Sequence, residues 1–390
     1  MYKFDQTPVM PQGFTCTSRN CGIKEEGDDL ALFYSEKLAE AAAVFTRNLV
    51  PGAPVIAGRE IIKKGKLQAV VVNSRVSNVG TGEEGVKRAY RMSAAAAKEL
   101  SCDESEVIMS STGVIAVPLP VEKIESGIVG MKSDLCSDPL VGARGIMTTD
   151  TYAKAISISC DHYTLTIVGK GSGMIEPNMA TMLVYVFTDA AVSAKDLDSV
   201  LRVGVNQSFN MLSVDTDTST SDTVVAMANG LAKNPVDLQE FQERFSAACI
   251  RMTEMLARDG EGATKLLKII IEEAVDEKQA KIYARAMVNS PLIKTMAHGC
   301  DPNIGRMLMA LGKCFDNDLD VAKLELIVNG VTVFADSIKT DFDELALRES
   351  IDSEEVIFQV KLGLGDASAT AYGCDLTHGY VDENAAYYSS

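Results

Sequence analysis

A chain of 390 residues is long enough for two or three domains with sizeable buried cores, and its net charge of −17 argues against nucleic acid as a partner. No apolar run approaches the ~18–20 residues that span a bilayer, so no membrane association is expected. The N-terminus carries no targeting pattern, and nine cysteines without CxxC spacing read as the reduced thiols of a cytoplasmic protein. In chain order, Pro11-Gln12-Gly13-Phe14 opens a loop-strand region that runs through Gly22-Ile23-Lys24. Asp29–Tyr34 has strand composition, and the alanine-rich Leu38–Phe45 reads as short helix or small-residue packing. Leu67–Asn73 is a short apolar run of the kind found in buried strands. It leads into a polar loop over 74–82 and a helix from Glu83 to Leu100, with acidic residues in its first turn. Strand-loop-helix grammar repeats from Val107, where Ser110-Ser111-Thr112-Gly113 makes a small polar turn after a short strand.

The stretch from Lys170 to Ala190 organises the rest. Gly171, Gly173, Pro177 and Asn178 form a loop, and Met182–Phe187 is a β-branched and aromatic run that reads as a buried strand. Thr181 sits at the seam. On this stretch alone its simplest reading is a strand-capping hydroxyl; the chemical reading is a nucleophile whose base is its own α-amine, exposed by chain cleavage. Further on, Leu197–Asn210 reads as helix, and the DxDxS spacing of 213–222 suggests calcium. Thr220 and Ala226 stand where that loop needs Gly and Glu, so Asp222 reads instead as the cap of a helix from Thr223. Phe241, Phe245, Ala248, Met252, Met255 and Leu256 form a helical core stripe that ends before Gly260-Glu261-Gly262.

From Ile269 the pattern changes to a strand, a helix near Glu277–Met287, and, beyond Leu324, strands with one helix near Asp343–Ile351. This reads as a smaller α/β domain over 276–390, following a catalytic domain over 1–275. His298, Cys300 and Asp301 have no second ligand cluster with proper spacing, so no metal site is expected. The glycine strings at 169–173 and 362–365 lack the spacing of dinucleotide fingerprints. Alternating strands and helices make the fold class α/β (α+β).

KGSGMIEPNMATML at Lys170 resembles the self-cleavage motif of the ornithine acetyltransferase family, and the likeness runs along nearly the whole chain. Similar blocks are PQGF at Pro11, GIK at Gly22, STGVI at Ser111, IMTTDT at Ile146, DTSTSDT at Asp217, DGEGATKL at Asp259, NSPLIKT at Asn289, DPNIGR at Asp301 and YVDENAAY at Tyr380. The resemblance implies a layered α-β-β-α sandwich like that of self-processing N-terminal-nucleophile enzymes. It implies cleavage between Ala180 and Thr181, giving an α chain of 1–180 and a β chain of 181–390 that assemble as a heterotetramer of two of each. Thr181 would be the nucleophile and Thr112 with Gly113 the oxyanion pair. Substrate contacts would fall on Thr148 (or its neighbour Thr149), Lys170, Thr181, Glu261, Asn384 and Ser389.

The chemistry so implied is ping-pong transfer of an acetyl group from N-acetylornithine to glutamate, with no cofactor required and acetyl-CoA as a further donor. Lys170 would meet a substrate carboxylate and Glu261 a substrate amine. Two other classes share the framework: a self-processing aminopeptidase or amidase that releases its acyl group to water, and an acetyltransferase of specialised metabolism.

Overall fold

The computed structural model describes residues 2–176 and 182–385. The chain forms two compact units, each built on its own mixed sheet, as the α/β class requires. Among the described residues, the first comprises 2–171, 182–210 and 218–252; the second comprises 172–176, 211–217 and 253–385.

The first sheet contains β1 (Phe14–Arg19), β2 (Leu30–Phe45), β3 (Lys66–Asn73), β4 (Val107–Ser111), β5 (Lys154–Ser159), β6 (Thr164–Lys170), β7 (Leu183–Thr188) and β9 (Thr223–Ala228); β8 (Leu212–Ser213) belongs to the second. Its order is β4-β3-β2-β9-β7-β6-β5, with β1 also paired to β2. β7 lies parallel to β9 and antiparallel to β6, and is buried along its whole length, which explains its unbroken LVYVFT composition. Two sequence expectations give way here. Leu38–Phe45 is not helix but the second half of the 16-residue β2, paired to β9 from Glu40 to Phe45. Its alanines are strand residues because tertiary pairing overrides even alanine's high helix propensity. Likewise Asp222 caps no helix: Thr223–Ala228 is β9, held between β2 and β7. The helix expected from Glu83 is present as Gly82–Leu100. The core around this sheet is aromatic at its centre, where Phe33 stacks on Phe187 with ring centroids 5.3 Å apart.

The second sheet adds β10 (Leu266–Ala274), β11 (Glu325–Val328), β12 (Val331–Ala335), β13 (Ile338–Lys339), β14 (Glu355–Lys361) and β15 (Ala367–Cys374), in the order β13-β12-β11-β14-β10-β15-β8. Residue 275, the boundary expected from sequence, follows β10 directly. The pairing of β10 with β14 and β15 keeps both sides of that position in one unit. A helix, Glu277–Val288, contributes Tyr283, Ala284 and Met287 to the buried residues, and the helix His378–Ala385 ends the described chain. Among the described residues no helix is long and apolar enough to cross a membrane, and no cysteine is in a disulfide.

Candidate active site

β4 delivers the Thr112–Gly113 turn. The Thr112 N–H donates to the Asn73 carbonyl at 3.1 Å and the Val114 N–H to the Arg75 carbonyl at 2.9 Å, so the turn is clamped to the segment after β3. Gly113 has φ +127°, and a methyl group there would overlap the Arg75 carbonyl carbon and oxygen. Only glycine fits, and among the described residues no acceptor takes its N–H.

Across the sheet, β6 ends at Lys170, whose partner on β7 is Leu183. The Lys170 Nζ donates to Thr148 Oγ1 at 2.8 Å and lies 3.4 Å from Thr112 Oγ1, a long contact. Three of the expected residues, Thr112, Thr148 and Lys170, thus converge, with Thr112 and Lys170 buried and Thr148 half-buried.

Sequence reasoning missed what holds this group. Asp150 is buried and accepts on both carboxylate oxygens: Lys154 Nζ at 2.7 Å and the Gly171 N–H at 2.8 Å on Oδ1, the Thr148 N–H at 3.0 Å on Oδ2. Burial alone would push this carboxyl up. The Lys170 and Lys154 ammonium groups and the Thr148 N–H outweigh it and hold the carboxyl at about 2. Lys24 is the third ammonium in this neighbourhood. It pins the chain before Thr148 by donating to the Met147 carbonyl at 2.8 Å. Burial lowers its pKa, Asp29 opposes that, and the Lys170 charge adds to it. Lys154 is fully buried against Asp150, so Lys170, beside Thr148, is the cation placed to meet an incoming anion such as a substrate carboxylate. The only sequence trace of Asp150 and Lys24 was their place within the IMTTDT and GIK blocks. Nothing in the sequence pointed to Lys154.

The second unit gathers a different set. Glu261 is 9% exposed, and its N–H donates to the Ser172 carbonyl at 3.0 Å. Asn384, on the last described helix, donates through Nδ2 to Glu261 Oε2 at 2.8 Å and to the Tyr380 carbonyl at 3.0 Å. A methyl group on Gly173 would overlap the Glu261 carboxylate, so glycine is what lets that carboxylate lie against the backbone. Asp215 accepts the Met174 N–H at 2.6 Å and the Ile175 N–H at 2.8 Å; burial raises its carboxyl while those N–H groups oppose the rise. Tyr380 OH lies 3.4 Å from the same carboxylate, and burial, followed by Asp215 and Glu261, raises the phenol. Ala180, Thr181 and Ser389 lie outside the described residues. His298 meets Asp375 at 3.0 Å, and among the described residues no group of three or more ligands could hold a metal.

The family model described as "ArgJ family" matches residues 15–389. The chain is 44% identical over 384 residues to arginine biosynthesis bifunctional protein ArgJ 2 of Clostridium acetobutylicum, covering 97% of this chain and 98% of that one. It is 40% identical to glutamate N-acetyltransferase Oat2 of Streptomyces clavuligerus, covering 98% and 99%. The crystal structure of arginine biosynthesis bifunctional protein ArgJ from Bacillus halodurans superposes with a TM-score of 0.51 at 35% identity, covering 53% of this chain and all of that one.

Proposed function

Because the chain belongs to the ArgJ family, we propose that it moves an acetyl group from N-acetylornithine to glutamate through an acetyl ester on Thr181. The observation that carries the reading is the convergence of Thr112, Thr148 and Lys170, with Gly113 adding an N–H that no described acceptor takes. Cleavage between Ala180 and Thr181 gives the threonine an α-amine, which titrates near ~7.7–8 and serves as general base at ambient pH. The Thr181 hydroxyl attacks the acetyl carbonyl, and the negative charge that develops on the carbonyl oxygen faces the Thr112 hydroxyl and the Gly113 N–H. The hydroxyl proton passes by way of the α-amine to the amide nitrogen, the C–N bond breaks, and ornithine leaves. Glutamate then enters; its amine attacks the ester carbonyl, and Thr181 recovers its proton as N-acetylglutamate departs.

Lys170, beside Thr148, meets the substrate carboxylate. Substituting Lys170 with Met removes one charge-assisted contact and is expected to raise KM for N-acetylornithine roughly 10–100-fold, with a smaller change in kcat, in a steady-state assay. We further propose that acetyl-CoA serves as a second donor, that the two chains assemble as a heterotetramer of two α and two β, and that the enzyme works in the cytoplasm with reduced thiols. The deciding experiment incubates the protein with labelled N-acetylornithine, with and without glutamate, and maps the label by mass spectrometry. Label trapped on Thr181 without glutamate and discharged to glutamate on its addition is the expected result. Steady release of acetate without glutamate would favour the amidase alternative and overturn this reading.

A further inference from the structure

We infer that Asp150 is a positioning residue of this site: its two oxygens lock the Thr148 turn to the Lys170–Gly171 backbone and so fix the pair that receives the substrate carboxylate. The inference rests on the function proposed above. Oδ2 holds the Thr148 N–H at 3.0 Å, and Oδ1 holds the Gly171 N–H at 2.8 Å together with Lys154 Nζ at 2.7 Å. Thr148 and Lys170 then meet side chain to side chain at 2.8 Å, which closes a ring through Asp150. Every group aimed at the carboxylate is a donor, and only a carboxylate accepts on both sides. The side chains of Asp150 and Lys154 are both fully buried, so the anchor sits where water cannot substitute for it. Lys154 is held in its own right on β5 opposite Gly169, and its ammonium lies 4.8 Å from the Tyr152 ring centroid. The carboxylate is therefore anchored from the sheet, while the two amides it grips belong to the residues that shape the site.

The test compares three proteins. Lys154→Met removes the buried cation and keeps both amide anchors. Asp150→Asn combined with Lys154→Met is charge-balanced, but it forces an amide NH2 against either the Thr148 or the Gly171 N–H. Lys154→Met is expected to keep KM for N-acetylornithine within about 3-fold of the parent, since no substrate-binding group has moved. The double variant is expected to keep the thermal midpoint of Lys154→Met and its self-cleavage on a denaturing gel, while KM rises at least about 10-fold with kcat nearly retained. A double variant with the KM of Lys154→Met would overturn the inference. Should the double variant fail to fold, Asp150→Glu keeps the charge and displaces it by one methylene; a raised KM in that variant supports positioning and an unchanged one refutes it. Failure of both to fold while Lys154→Met folds would assign Asp150 to stability alone and refute the inference as well. A parent protein that transfers no acetyl group to glutamate would refute the proposed function instead, so the two failures are distinguishable.

Discussion

Thr181→Ala is expected to leave one uncut chain of 41.8 kDa on a denaturing gel, with acetyl transfer from N-acetylornithine reduced to background. Both consequences follow from the removal of a single oxygen. Without the hydroxyl there is no nucleophile for the preceding peptide bond, so the α-amine is never exposed. Without the α-amine there is no base for the transfer step, and no other side chain supplies the ester oxygen. Loss of a covalent nucleophile from a hydrolytic site costs on the order of 10⁶ in kcat, and here maturation fails too. Thr181→Ser keeps the oxygen and is expected to cut and transfer, at reduced rates. An alanine variant that still yielded two chains and still formed N-acetylglutamate would sink the assignment.

The second large effect belongs to Gly113. Alanine there must find room where the Arg75 backbone already lies, at a φ of +127° that side-chain-bearing residues rarely adopt. The turn has to move, and with it the N–H proposed to face the developing oxyanion. Removing one such donor costs ~10²–10³ in kcat, and displacement of the Thr112 hydroxyl in the same movement adds to the loss. Gly113→Ala is therefore expected to lower kcat by at least about 10²-fold and to reduce the thermal midpoint as well. Thr112→Val isolates the chemical part: it removes the hydroxyl but leaves the N–H to Asn73 in place, so kcat should fall while the midpoint holds. Stopped or steady-state kinetics beside a melting curve would decide. Full activity in Gly113→Ala would remove this turn from the mechanism.

How far the sequence revealed these features depended on whether the signal was local. The helix Gly82–Leu100 and the apolar strand Leu183–Thr188 carry their own periodicity or composition, and both were legible within a residue or two. The second half of β2 was not, because AEAAAVF has the composition of a helix and becomes strand only by pairing with β9, some 180 residues later. Asp222 looked like a helix cap because TSTSD is cap-like, whereas the TVVAMA that follows was the truer strand signal. The Thr112–Gly113 turn and Lys170 were reached through motif resemblance. Asp150 and Lys154 were not, since a buried ion pair that ties an irregular segment to the first residue of β5 has no pattern of its own. Glu261 stood out by its flanking glycines, but its partner on the helix His378–Ala385 becomes visible only once the chain has folded.

The strand order of the first sheet bears on what the proposed cleavage would leave behind. β7 and β9 come from beyond residue 181, yet they are inserted between β2 and β6, which precede it. The two polypeptides that the proposed scission would give are thus woven into one hydrogen-bonded ladder, with a seam on each flank of the inserted pair. Neither product can drift away on dilution without tearing the sheet's centre, so the nicked molecule should melt in one cooperative step, and refolding from separated halves should require both strands of the weave at once.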